Sequence, residues 1–217
     1  NSQVIIMLLE GIRDTLYMTL ASTLFGYIIG LPMGIVLTVT DKDGIRPNAA
    51  VYKVLDVISN LLRSIPFIIL LIVLIPFTRF VVGRSYGSTA TIVPLTIAAA
   101  PYIARMVESS LKEVDAGVIE AARSMGASDF QIVTRVMLVE ARTSLIVGAT
   151  ISLGTILGYS AMAGTVGGGG LGDIAIRYGY TRWQTDIMVV TVVLLVILFQ
   201  IFQTIGMKIA NRLDRRK

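Results

Sequence analysis

The 217-residue chain contains no cysteine and no histidine. That excludes disulfide frameworks, thiolate or imidazole zinc sites, Cys–His nucleophile pairs and Ser-His-Asp hydrolysis. Charge is also scarce, with 15% of residues charged against 54% hydrophobic and a mean hydropathy of +0.77. A soluble domain carries roughly 25% charged residues, so too few are present here to clothe a water-facing surface. No lysine follows a glycine, and the phosphate-cradling pattern GxxxxGK[ST] is therefore missing. Any uphill work by this chain needs an energy source on another subunit.

What the sequence does contain is long apolar runs. A membrane-crossing helix needs about 20 mostly apolar residues at ~1.5 Å rise each. Thr15 to Thr40, Ser85 to Ala104, Thr143 to Gly172 and Ile187 to Met207 carry no charge at all, and Val57 to Thr78 carries only Arg63. The expected fold is an all-α membrane protein of about five transmembrane helices, forming one transmembrane domain over residues 1–217. Residues 1–14 are too short to span and read as an interfacial helix, with Leu8, Leu9 and Ile12 toward lipid and Glu10, Arg13 and Asp14 toward water. They lack a basic n-region, which argues against a cleaved signal peptide.

Five spans place the two ends on opposite sides, and Lys/Arg excess marks the inner one. With the N terminus outside, thirteen basic residues fall inside: Lys42, Arg46, Lys53, Arg105, Lys112, Arg123, Arg135, Arg142, Lys208, Arg212, Arg215, Arg216 and Lys217. Five fall outside: Arg13, Arg79, Arg84, Arg177 and Arg182. The reading is N-out and C-in, with 105–142 a cytoplasmic loop. Arg63 remains in a span, either snorkelling to the inner interface, paired with Asp56, or touching substrate.

No Asp, Glu or His falls in the interior of a predicted span, which disfavours an ion-coupled secondary transporter. Gly26, Gly30 and Gly34 form two GxxxG steps, and Gly154 and Gly158 repeat the spacing, as in closely packed helices. Pro32, Pro66, Pro76, Pro94 and Pro101 lie in or beside spans, where they bend helices. Gly167–Gly170 reads as a flexible turn or an outer docking surface.

The 105–142 loop is patterned as an elbow. Asp115 is placed to cap a helix that ends at Gly126, with Val118, Ile119, Ala122 and Met125 on one face. Ser128 with Gln131 starts a second helix as a capping box, presenting Ile132, Val133, Val136 and Met137 on one side. The same spacing occurs in DNA-binding helix-turn-helix units. Here, however, the loop carries five basic and six acidic residues between two spans, so it cannot displace counterions from phosphate. A helix standing off the membrane suits a groove on a partner protein.

Glu120-Ala121-Ala122, Gly126, Val136 and Leu138 resemble the EAA motif, EAA-x3-G-x9-I-x-L-P, of bacterial ABC importer permeases. Val136 replaces the Ile and Val139 the final Pro. The segments Arg63–Leu71, Ile75–Arg79, Ala100–Glu108, Gly158–Gly164, Gly169–Gly172 and Tyr178–Tyr180 are similar to the methionine-importer permeases in particular. The resemblance implies a multi-pass protein of the bacterial cytoplasmic (inner) membrane that takes up methionine and close analogues. It implies two copies of this chain, two cytoplasmic ATPase subunits and an extracytoplasmic binding protein. ATP and Mg would sit on the ATPase, and this chain would bind no cofactor, metal or nucleic acid. Glu120, Ala121, Ala122, Gly126, Val136 and Leu138 would form the ATPase-coupling element. Met162, Ser160, Tyr159, Arg63 and Pro66 are the candidate pathway and gate residues. Within the class, the alternative is an importer of another amino acid or an osmoprotectant.

Overall fold

A 39-residue helix, α1 (Ser2–Thr40), opens the chain; the computed structural model describes residues 2–214. Asn1 and the basic residues Arg215, Arg216 and Lys217 lie outside the described residues. After α1 come α2 (Ala49–Ser64), α3 (Phe67–Val73), α4 (Ile75–Val82) and α5 (Ser88–Lys112). The elbow follows: α6 (Ala116–Ser124), α7 (Asp129–Gln131), a π-helical stretch Ile132–Met137 and α8 (Leu138–Glu140). The chain ends with α9 (Arg142–Ala163), a 3-10 turn Gly164–Val166, α10 (Gly170–Ile174), a second π-helical stretch Ala175–Tyr180 and α11 (Thr185–Leu213). No strand occurs among the described residues.

Helices α1, α5, α9 and α11 are each long and apolar enough to cross a membrane, and the bent pair α2 and α3 can make a fifth span. That pair departs from expectation. Val57 to Thr78 reads as one span in the sequence, yet the chain turns by 102° between Ser64 and Phe67. Pro66 disfavours helical backbone at the residue before it, and Ile65 is extended, with φ −82° and ψ 123°. The opening segment departs too. The described residues of this segment, 2–14, are not a separate helix but the first turns of α1, since nothing between Glu10 and Thr15 breaks the helix. Leu8 and Ile12 pack against the cluster of Leu157, Leu171, Ile174, Ile187 and Leu198, while Leu9 alone of the three stays exposed.

The core is organised around α1 and α5. Gly26, Gly30 and Gly34 present a side-chain-free seam to α5. A Cβ on Gly30 would come within 2.6 Å of the Ala100 carbonyl oxygen, and one on Gly34 within 2.6 Å of that of Ala104. Real Cβ atoms do not approach so closely, so glycine is what permits this backbone contact. On α9 the expected repeat is only half used. Gly154 abuts the Phe199 ring of α11, whereas Gly158 meets nothing within 4 Å.

The bundle has two distinct ends. At the loop end, Arg123 Nη2 of the elbow donates to the Ile45 carbonyl at 2.9 Å, joining the α1–α2 connection to the elbow. At the far end, the Gly87 amide donates to the Gly167 carbonyl, and the Leu171 amide to Thr15 Oγ1, both at 2.9 Å. The glycine run 167–170 is thus a fixed turn seated between α1 and α5, not a loose one. Much of α11 is uncovered by the rest of the chain, including Val189, Val193, Val196 and Ile205; such a surface suits lipid.

Candidate functional site

Two regions bring the predicted residues together. The first is the elbow. Asp115 Oδ1 accepts from the Gly117 amide at 2.6 Å and starts α6. At its other end the Ala127 amide donates to the Ala122 carbonyl at 3.1 Å and the Gly126 amide to the Arg123 carbonyl at 3.0 Å. This bond pair defines a Schellman cap, which needs a left-handed residue at its turn. Gly126, at φ +85°, supplies it. Ser128 and Gln131 then form the expected capping box.

The faces of the elbow differ in part from expectation. Ala122 and Ile119 turn inward, Ala122 being 6% exposed beside Leu111, Ile132 and Met137. Val118 and Met125 do not join them, and Met125 is 82% exposed because it already sits in the cap. With Phe130 at 75% exposure, it leaves two large apolar side chains projecting from the elbow. The small size of Ala122 thus serves seating on this chain's own core, and Ala121 is the outward alanine. Glu120 is exposed and does not cap its helix, a role Asp115 fills. Val136 and Leu138 are half-buried on the core side. A surface hollow of about 440 Å³ lies along Ala122, Met125, Gly126, Gln131, Arg135 and Val136.

Behind the elbow sits a charge cluster that the sequence reading missed. Arg105 binds Asp56 and, at 2.7 Å, Glu108; Lys112 binds Glu108 and Asp41, each at 2.8 Å. The Tyr52 hydroxyl donates to Glu108 Oε1 at 3.1 Å. The cluster ties the end of α1, the start of α2 and the end of α5 together. The hydrogen bond from Lys112 is the largest influence holding the Asp41 carboxyl below its usual range. Glu108 is a buried carboxylate on a span, contrary to the expectation of none, because α5 runs on to Lys112. The signal was available in the sequence: Arg105, Glu108 and Lys112 recur at i, i+3 and i+7, one helix face.

The second region is a cavity of about 210 Å³ at the break between α2 and α3. Arg63, Phe67, Leu70, Ala98, Tyr102 and Tyr159 are among its lining residues. The Phe67 and Tyr159 rings stack at 4.6 Å and 5°, and Thr155 Oγ1 donates to the Tyr102 hydroxyl at 3.5 Å. Arg63 does not pair with Asp56, which Arg105 occupies. Nor does it stand near the start of its helix, as the snorkelling reading requires. Helix α2 begins at Ala49, fourteen residues earlier, or about 21 Å along the axis. Pro66 forms the break itself. Ser160 is buried with its hydroxyl donating to the Leu157 carbonyl at 2.7 Å, away from the exposed face of α9. Met162 is on that face at 50% exposure, with Ile151 at 48% and the open Gly158.

With this geometry in hand, comparison with known proteins is direct. Residues 26–217 match the family described as "Binding-protein-dependent transport system inner membrane component". The chain belongs to that family. This inner-membrane component is 48% identical over 210 residues to a "Probable D-methionine transport system permease protein MetI" of Vibrio cholerae, covering 97% of this chain and 93% of that protein. It is 54% identical over 158 residues to the "D-methionine transport system permease protein MetI" of Escherichia coli K12, covering 73% of each. Its fold matches a chain of the MetNI methionine ABC transporter, solved in inward-facing conformations, with a TM-score of 0.97 and 49% identity. That match covers 99% of this chain and 100% of the other. The inner-membrane component is therefore a multi-pass permease subunit of an ABC transporter.

Proposed function

We propose that this permease takes up methionine across the bacterial inner membrane, driven by ATP hydrolysed on a separate subunit. The observation that carries the reading is the match along 99% of the chain to a methionine ABC transporter. Two copies line the pathway, meeting along the face of α9 that bears Ile151, Gly158 and Met162, which nothing in a single chain covers. Met162 from each copy supplies a soft, polarizable gate. The elbow, with the N terminus outside, lies in the cytoplasm and seats in a groove of the ATPase. Met125 and Phe130 anchor it there, and Glu120 meets a basic residue. ATP and Mg stay on the ATPase, and closure of its dimer pulls the elbows inward. A binding protein outside delivers the substrate.

The test is reconstitution in proteoliposomes with the ATPase, the binding protein and labelled methionine. Accumulation is expected only when all three proteins and ATP are present. Accumulation by this chain alone would overturn the energy assignment. Uptake of a different amino acid or of a betaine, with methionine ignored, would overturn the substrate.

A further inference from the structure

We propose that the cavity at the α2–α3 break is an amino-acid subsite, in which Arg63 receives the substrate carboxylate and the stacked Phe67 and Tyr159 receive its side chain. The proposal rests on the importer reading above and adds a binding station inside the permease itself.

Depth comes first. Ala98, which lines the cavity, is ten residues from Ser88 and fourteen from Lys112 in α5, or about 15 Å and 21 Å along the helix. The cavity thus lies within the uncharged run Ser85–Ala104, about 9 Å from its elbow end. Ser59 supports the same height: one turn before Arg63, its hydroxyl donates to the Pro101 carbonyl at 3.4 Å. An arginine inside a span, even one exposed on the single chain as Arg63 is, needs a counter-charge and marks a ligand path by default.

Charge comes next. The cations of the neighbouring charge cluster are satisfied, Arg105 by Asp56 and Glu108, and Lys112 by Glu108 and Asp41. Arg63 has no ion pair or hydrogen bond among the described residues, and no Asp or Glu lines the cavity. A guanidinium fork matches a carboxylate with two parallel hydrogen bonds, so a carboxylate brought by the ligand completes the site. The rest of the lining is apolar or aromatic apart from the tyrosine hydroxyls. A thioether finds favourable contact at an aromatic ring. A cavity of about 210 Å³ is smaller than the ~300–1,000 Å³ of pockets for drug-sized ligands and fits one small amino acid. Broken helices at mid-membrane are also where transporters build such sites. With no acidic group to hold an ammonium, recognition rests on the carboxylate.

The test uses the permease with its ATPase in lipid nanodiscs and photo-methionine, the diazirine analogue, with labelled peptides mapped by mass spectrometry. Labelling is expected on the segments around Leu62, Leu70 and Ala98. Methionine and 4-(methylthio)butanoate should compete, whereas methioninol, which lacks the carboxylate, should compete at least about tenfold more weakly, as loss of a charge-assisted pair implies. Arg63→Gln should abolish the distinction, and Arg63→Lys should retain part of it. Equal competition by methioninol on the unmodified protein, or labelling only around Met162, overturns the subsite without reference to any variant. ATP-driven methionine uptake by the same preparation in vesicles is read separately. If uptake persists while cavity labelling is absent, the subsite falls and the importer reading stands; if uptake itself is absent, both fall.

Discussion

At Gly126 the demand is on the backbone and not on space. Its φ is +85°, yet a Cβ there would meet nothing within 4 Å. A β-branched side chain in the left-handed region is strained by roughly 1–2 kcal/mol, enough to open the cap that aims the elbow. Gly126→Val is therefore expected to leave the protein inserted and ATP hydrolysis measurable while methionine uptake falls about tenfold. Gly126→Asn, which tolerates the same φ, should keep most of the uptake. Equal loss in both variants would mean that the turn's geometry is not what matters.

Among elements, the charged joint between α1, α2 and α5 carries the clearest consequence. Arg105 is 19% exposed and holds two carboxylates. Removing one partner of a largely buried ion pair leaves the others uncompensated, at roughly 3 kcal/mol. Arg105→Gln should lower the melting temperature in detergent, whereas Arg123→Gln, on the exposed elbow, should barely move it. A small shift in the first variant would show that the joint is incidental. Because the Asp41 carboxyl is held below its usual range, its contribution persists above that range and is lost as pH falls through the lowered value. This joint escapes a span count because its members lie 41 to 112 residues along the chain, separated by apolar sequence that hides their neighbourhood. Local features were easier to read. The Asp115 cap, the Gly126 turn and the Ser128–Gln131 box depend only on nearest neighbours, and all three stand as expected. The 102° bend at Pro66 is not legible in the sequence, because Pro32, Pro94 and Pro101 carry the same signal yet sit inside continuous helices. What the chain encodes locally is legible; what it encodes by folding back on itself is not.

For the whole molecule, the missing cysteines become a practical asset. Single-cysteine variants need no background removed. With the N terminus outside, Arg84→Cys should react with an impermeant maleimide in spheroplasts, and Lys42→Cys only after the membrane is opened. The reverse pattern would invert the orientation. Gly158→Cys should cross-link two copies if the open face of α9 is where they meet, and a purely monomeric product would place the contact elsewhere. One last consequence concerns the glycine seam. Side chains between helices act as cushions that deform under load, and along its glycine seam α1 contributes none, leaving only those of α5 such as Ile103 and Val107 in between. The two helices therefore form a single stiff beam, braced by ion pairs at the end nearest the elbow. A push delivered there has little compliance to be absorbed in, and it reaches the opposite rim as movement.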